Sequence, residues 1–199
     1  MGSRAGVKRA FLVAMKLHES IEPALAEWIG GQRVFFVGSA PLAGDGHVNV
    51  SPKGGEAFRI LGPMEVVYQD YTGSGAETVA HVRENGRIVL MFCAFEGPPK
   101  IVRLHGEGSV VTPGHLRFAE FTALFPPNAG TRAFIHVAVN RVSDSCGFSV
   151  PFFDFKAPRD TLDRWAEKQG PEKMDAYRAL KNERSIDGLP AFGGESSGG

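Results

Sequence analysis

The stretch RIVLMFCAFEGPPKIVRLHG, Arg87 to Gly106, contains two runs with different strand signatures. IVLMFCAF, Ile88 to Phe95, is apolar on both faces. That is expected of a central strand packed on the core on one side and on another element or subunit on the other. The run Ile101 to Val111 puts Val102, Leu104 and Val110 on one side and Arg103, His105 and Glu107 on the other, so one of its faces is wet or turned to a ligand. Working outward, β-rich runs recur at Arg33 to Ser39, His47 to Ser51, Phe58 to Leu61, Met64 to Asp70 and Arg132 to Val142. Seven such runs in one domain predict a barrel.

Helices interrupt these runs. Ile21, Leu25, Trp28 and Ile29 recur at helical spacing, with Ser20 placed to cap, Pro23 in the first turn and Gly30-Gly31 as the stop. A second helix is predicted from Gly75 to Glu84, ended by Asn85-Gly86. A third carries the stripe Phe118, Phe121, Thr122 and Phe125. The C-terminal region has Leu162, Trp165 and Ala166 on one helical face and Met174, Tyr177 and Leu180 on another, broken at Gly170-Pro171. No internal repeat is visible.

A chain of 199 residues that is 43% hydrophobic can bury a substantial core as one domain. Lys plus Arg and Asp plus Glu number 22 each, so no net field favours nucleic acid or an anionic membrane. Cys93 and Cys146 offer neither a disulfide framework nor metal-ligand spacing, which suits a reducing cytoplasm. The apolar run Ala10 to Met15 is too short for a secretory core and meets Lys16 at once, and nothing approaches a transmembrane length. Residues 1–15 are expected to be an N-terminal extension, and the tail GGESSGG (193–199) is expected to be disordered.

Several constellations could carry chemistry. Ser74 and Glu77 form an S-x-x-E capping box, while Gly73-Ser74-Gly75 leaves unhindered amides at the positive end of a helix, beside the Ser74 and Thr78 hydroxyls, as a phosphate requires. Lys53 follows Ser51-Pro52 at a strand end, where it is either a solvated turn lysine or a cation aimed into a groove. Arg103 could grip an anion or pair with Glu107 two positions along on the same face, and the ion pair is the simpler reading. His47, His105 and His136 match no metal motif, so no metal is expected. Cys93 reads as a small core residue, Cys146 has no base partner in the sequence, and the cluster Phe148, Phe152, Phe153 and Phe155 reads as packing.

The order of these pieces resembles the flavin-binding split barrels related to pyridoxamine 5'-phosphate oxidase. The pieces are a strand ending in Lys (Val48 to Lys53), a Tyr-bearing strand (Tyr68 to Asp70), a phosphate-facing helix start (Thr72 to Thr78), a helix running into Asn85-Gly86-Arg87, an apolar strand (Ile88 to Phe95) and a strand closing on Gly106. The likeness covers Arg33 to Val142 and is similar to a bacterial subgroup carrying GSG-ET, FCAFEGPPKI-RL-G and a terminal S-x-DGLP, here Ser185 to Pro190.

The resemblance implies a mainly β fold, a six-stranded antiparallel split barrel over residues 16–142 with a C-terminal helical extension over 143–192, and a homodimer with FMN in a groove between the subunits. Carried over by position, Val48, Asn49, Val50, Ser51 and Lys53 line the flavin, Tyr68, Gln69 and Asp70 flank it, and Ser74, Gly75 and Thr78 face its phosphate. Where the oxidases have an Arg-Lys pair at the helix start this chain has Glu77 and Thr78, so Lys53, Arg103 or a cation of the second subunit must compensate, unless Glu77 turns back into its cap. The oxidases' substrate-binding Arg and Ser set has no match between Phe118 and Thr131. The implied activity is therefore an FMN-dependent oxidoreductase of unassigned small-molecule substrate, with no catalytic residue identified. A flavin carrier or sensor, or a barrel holding haem or a deazaflavin, are the alternatives. The segment Ser143 to Phe192 is a candidate cover for the groove.

Overall fold

The computed structural model describes residues 15–193, so the expectations for the N-terminal extension before Met15 and for most of the tail lie outside the described residues. The elements in chain order are β1 (Lys16–His18), α1 (Pro23–Gly30), β2 (Val34–Ser39), β3 (Asn49–Gly54), β4 (Phe58–Gly62), β5 (Glu65–Tyr71), α2 (Glu77–Asn85), β6 (Arg87–Cys93), β7 (Ile101–Val111), α3 (Phe118–Thr122), β8 (Thr131–Ser145) and α4 (Thr161–Lys181). One antiparallel sheet of eight strands runs β3-β2-β6-β7-β8-β5-β4, with β1 paired to β8 off this path. This is the split-barrel architecture with more strands than the six expected. The three-residue β1, too short to show a pattern, was not foreseen.

The sheet curls strongly. Phe35 on β2 lies 5.5 Å from both Phe58 on β4 and Phe92 on β6, and its ring meets Tyr68 of β5 at 5.8 Å. Strands far apart in the sheet order thus share one aromatic core, with Val37, Leu90, Leu104 and Ile135 fully buried around it. Phe121 and Phe125 bury a second cluster against Val67, Val111 and Phe134 on the opposite face.

In β8, Ile135, Val137 and Val139 point into the main core, and after a register shift Val142 does so instead. The shift leaves Asn140 without a partner, since His105 faces Arg141 and Gly106 faces Val139. One extra residue in a two-residue repeat restores the inward phase after the bend. β8 also runs three residues beyond the expected end at Val142, because Ser143, Asp144 and Ser145 pair with Arg103, Val102 and Ile101 of β7, and β1 pairs with the first two on the other side.

Three local expectations are corrected. Ser20 does not cap α1; Glu22 holds the N-cap position without a side-chain bond. Ser74 does not cap α2; Ala76 does, so Gly73-Ser74-Gly75 stays irregular and the S-x-x-E box is not formed. Leu180 is exposed rather than packed, although Ala166 and Met174 are buried and Trp165 meets Tyr177 at 5.1 Å. The break at Gly170-Pro171 is present, with Gly170 at φ 73°.

Candidate functional site

β3 alternates, with Asn49, Ser51 and Lys53 half-buried while Val50, Pro52 and Gly54, like Val48 just before the strand, are exposed. The half-buried set faces the start of α2. Between them lies a cavity of about 310 Å³ lined by Ser51, Lys53, Tyr71, Gly73, Ser74, Gly75, Glu77, Thr78 and Arg132, among others.

Two cations meet there on one buried carboxylate. Lys53 Nζ donates to Asp70 Oδ1 at 2.9 Å, and Arg132 Nε donates to Asp70 Oδ2 at 2.8 Å. Burial pushes the Asp70 carboxyl up, but the charges and hydrogen bonds of Lys53 and Arg132 outweigh it and hold the group below its ordinary value. Asp70 therefore stays ionised and fixes both cations at the cavity wall. Arg132 Nη1 also donates to Gly75 O at 2.9 Å, tying the loop to the sheet.

The hydroxyl side is organised from β3. Asn49 Nδ2 donates to Thr78 Oγ1 at 2.9 Å, and Asn49 Oδ1 accepts from Ser51 Oγ at 3.3 Å, which leaves the Thr78 proton free to donate. Among the described residues no protein acceptor takes the backbone N–H of Gly73, Ser74 or Gly75. The Glu77 carboxylate folds back over Gly75, where a Cβ would overlap it. That position offsets the positive potential of the helix start. Free amides, two hydroxyls and two fixed cations suit an anion with several oxygens.

Of the residues selected from sequence, Ser51, Lys53, Ser74, Gly75 and Thr78 line the cavity. Asn49 supports it through Thr78. Tyr68, Gln69 and Asp70 are buried behind it, and Gln69 donates to Thr131 and accepts from Tyr71. Val48 and Val50 are exposed, at 72% and 63%, on the far face of β3. Arg103 stands apart on β7, where its Nη1 donates to Ser145 Oγ at 3.1 Å, in place of the expected pair with Glu107. Arg132 was not foreseen as a site residue. Its signal is a charged residue at the head of the apolar run TRAFIHVAV.

The three histidines are engaged elsewhere or absent from the cavity lining. His47 pairs with Asp187 at 2.6 Å, His136 with Glu65 at 2.6 Å, and His105 lies on β7. Burial raises the Cys93 thiol, consistent with a core residue. Among the described residues no helix is long and apolar enough to cross a membrane.

A family profile described as pyridoxamine 5'-phosphate oxidase matches residues 21–146. The pyridoxamine 5'-phosphate oxidase family protein ustO of Aspergillus flavus is 39% identical over 192 residues, covering 88% of this chain and 77% of that protein. Among solved structures, a histidine-to-alanine variant of HupZ from Group A Streptococcus superimposes with a TM-score of 0.51 at 20% identity, over 63% of this chain and 99% of that one. Unsubstituted HupZ gives 0.49 at 20% identity over 61% and 91%. The likeness to the HupZ variant is one of fold.

Proposed function

The chain belongs to the pyridoxamine 5'-phosphate oxidase family, and from that premise we propose that it binds FMN, with the phosphate end in the cavity between β3 and α2, and acts as a flavin-dependent oxidoreductase. One observation carries the reading: Lys53 and Arg132, both anchored on Asp70, stand beside the unengaged amides of Gly73, Ser74 and Gly75. The donor set fits a phosphate. Ser74 and Thr78 supply hydroxyls, Lys53 supplies the ammonium, and a volume of about 310 Å³ takes a phosphate and its attached chain. Bound flavin supplies the redox chemistry, and the residues of this chain hold and orient it.

Glu77 tunes this affinity. A like charge about 4 Å from a phosphate costs about 1 kcal/mol even in bulk water, roughly fivefold in Kd. Glu77→Gln is expected to tighten FMN about fivefold or more while leaving riboflavin, which lacks the phosphate, unchanged. Fluorescence quenching during titration with each flavin measures both. Protein that ignores micromolar FMN overturns the reading, and flavin that binds but is not reduced by NADH or NADPH moves it to a carrier or sensor.

The same reading includes a homodimer. It is supported by Val48 and Val50, exposed on an edge strand paired only to β2, and by exposed Phe148, Phe152 and Phe153. An apolar edge strand left in solvent is a surface on which a second chain can pair.

A further inference from the structure

The C-terminal segment contributes no residue to the cavity lining, yet it grips both loops that form the cavity's lips. Asn182, the C-cap of α4 and 0% exposed, donates from Nδ2 to Gly73 O at 2.9 Å and to Gly75 O at 3.5 Å. One turn earlier, Arg178 Nε donates to Thr72 Oγ1 at 2.9 Å and Nη2 donates to Thr131 O at 3.0 Å. Beyond the helix, Asp187 accepts the backbone N–H of His47 at 2.8 Å and pairs with its ring at 2.6 Å, holding the approach to β3.

These contacts have a directional consequence. In a trans peptide the carbonyl and the following N–H point opposite ways, so fixing Gly73 O on Asn182 aims the Ser74 N–H away from Asn182. That amide has no protein acceptor among the described residues. An amide turned out by a buried side chain and left unengaged is a preset donor.

We propose that Asn182, seconded by Arg178, is a positioning residue that presets the 73–75 loop for the ligand's anionic end, making the C-terminal segment part of the binding site and not a cover over it. The proposal rests on the phosphate reading above and adds the residue that shapes the loop. Asn182→Ala frees the Gly73 carbonyl, leaves Gly75 O on Arg132 alone, and lets the Gly73–Ser74 peptide sample other orientations. Asn182→Asp keeps the shape but replaces the donor with an acceptor, so it fails in the same way.

The test combines hydrogen exchange of the ligand-free protein with flavin titration. In Asn182→Ala and Asn182→Asp, the loop amide of Thr72, held by Gly130 O at 2.7 Å, is expected to exchange faster while the amides of β6 and β7 are unchanged. FMN is expected to weaken about tenfold, and riboflavin by less than twofold. Arg178→Lys, which keeps the charge but loses the guanidinium fork, gives a milder form of the same pattern and serves if the Asn182 variants fold poorly. Unaltered loop exchange with an unaltered FMN-to-riboflavin ratio overturns the proposal. Faster loop exchange in the variants of a protein that binds no flavin upholds the clamp and sinks the flavin reading instead.

Discussion

At the scale of single residues, the site turns on Asp70. It is 1% exposed and carries two cations, an arrangement that costs much when one member is lost, because the others remain buried and uncompensated. Asp70→Asn is expected to cost about 3–5 kcal/mol at pH 7, read from urea unfolding. Its carboxyl lies below the ordinary value of 3.8, so its contribution is present above that value and lost as pH falls through the folded one. The gap between wild type and Asp70→Asn should therefore close below about pH 3.8, and a constant gap down to pH 2 would show that the charge plays no part. Lys53 and Asp70 were legible only through the family resemblance, since Ser51-Pro52-Lys53 by itself leaves a solvated turn lysine open. Arg132 was not, since it meets Asp70 across 62 residues of chain and only the β5–β8 ladder brings them together.

At the scale of elements, the termini with backbone signals were readable and those needing a side-chain cap were not. Asn85-Gly86 ends α2 as the dipeptide predicts, with Gly86 left-handed at φ 70° and its N–H bonded to Val82 O. The Ser74–Glu77 motif failed as a cap because Asn182 and Arg132 hold the carbonyls of Gly73 and Gly75, pulling the loop out of the cap geometry. The Asn140 bulge was equally hidden, since its cause is the register with β7. Gly86→Ala should cost about 1–2 kcal/mol for the left-handed backbone, lowering Tm by roughly 2–8 °C. It also brings a Cβ within 2.9 Å of Glu107 Cγ. Gly55→Ala, at φ 68° with nothing within 4 Å, isolates the backbone part. Calorimetry should show the larger drop for Gly86→Ala, and equal drops would remove the Glu107 contact from the account.

At the scale of the molecule, the runs of strand and their closing into a barrel were readable, but the order of the strands and the side chains that hold the curl were not. The curl comes from Phe35, Phe58, Tyr68 and Phe92 meeting at ring distances of 5.1–5.8 Å, although they sit on four different strands. It also brings Lys53, on the edge strand β3, onto Asp70 of β5, five strands away in the sheet order. What the curl leaves open is the outer edge of β3, with Val48 and Val50 in solvent on the face opposite Lys53. An exposed apolar edge strand is an aggregation hazard unless something covers it, and a second copy of the chain is the cover that the proposed dimer supplies. Val50→Glu places a charge in that contact without touching the cavity lining. Sedimentation velocity is expected to show a dimer for wild type and a shift toward monomer for Val50→Glu, with the fold retained by circular dichroism. A wild-type chain that sediments as a single protomer at micromolar concentration would remove the dimer, leaving the Lys53–Asp70–Arg132 anchor to hold an anion alone.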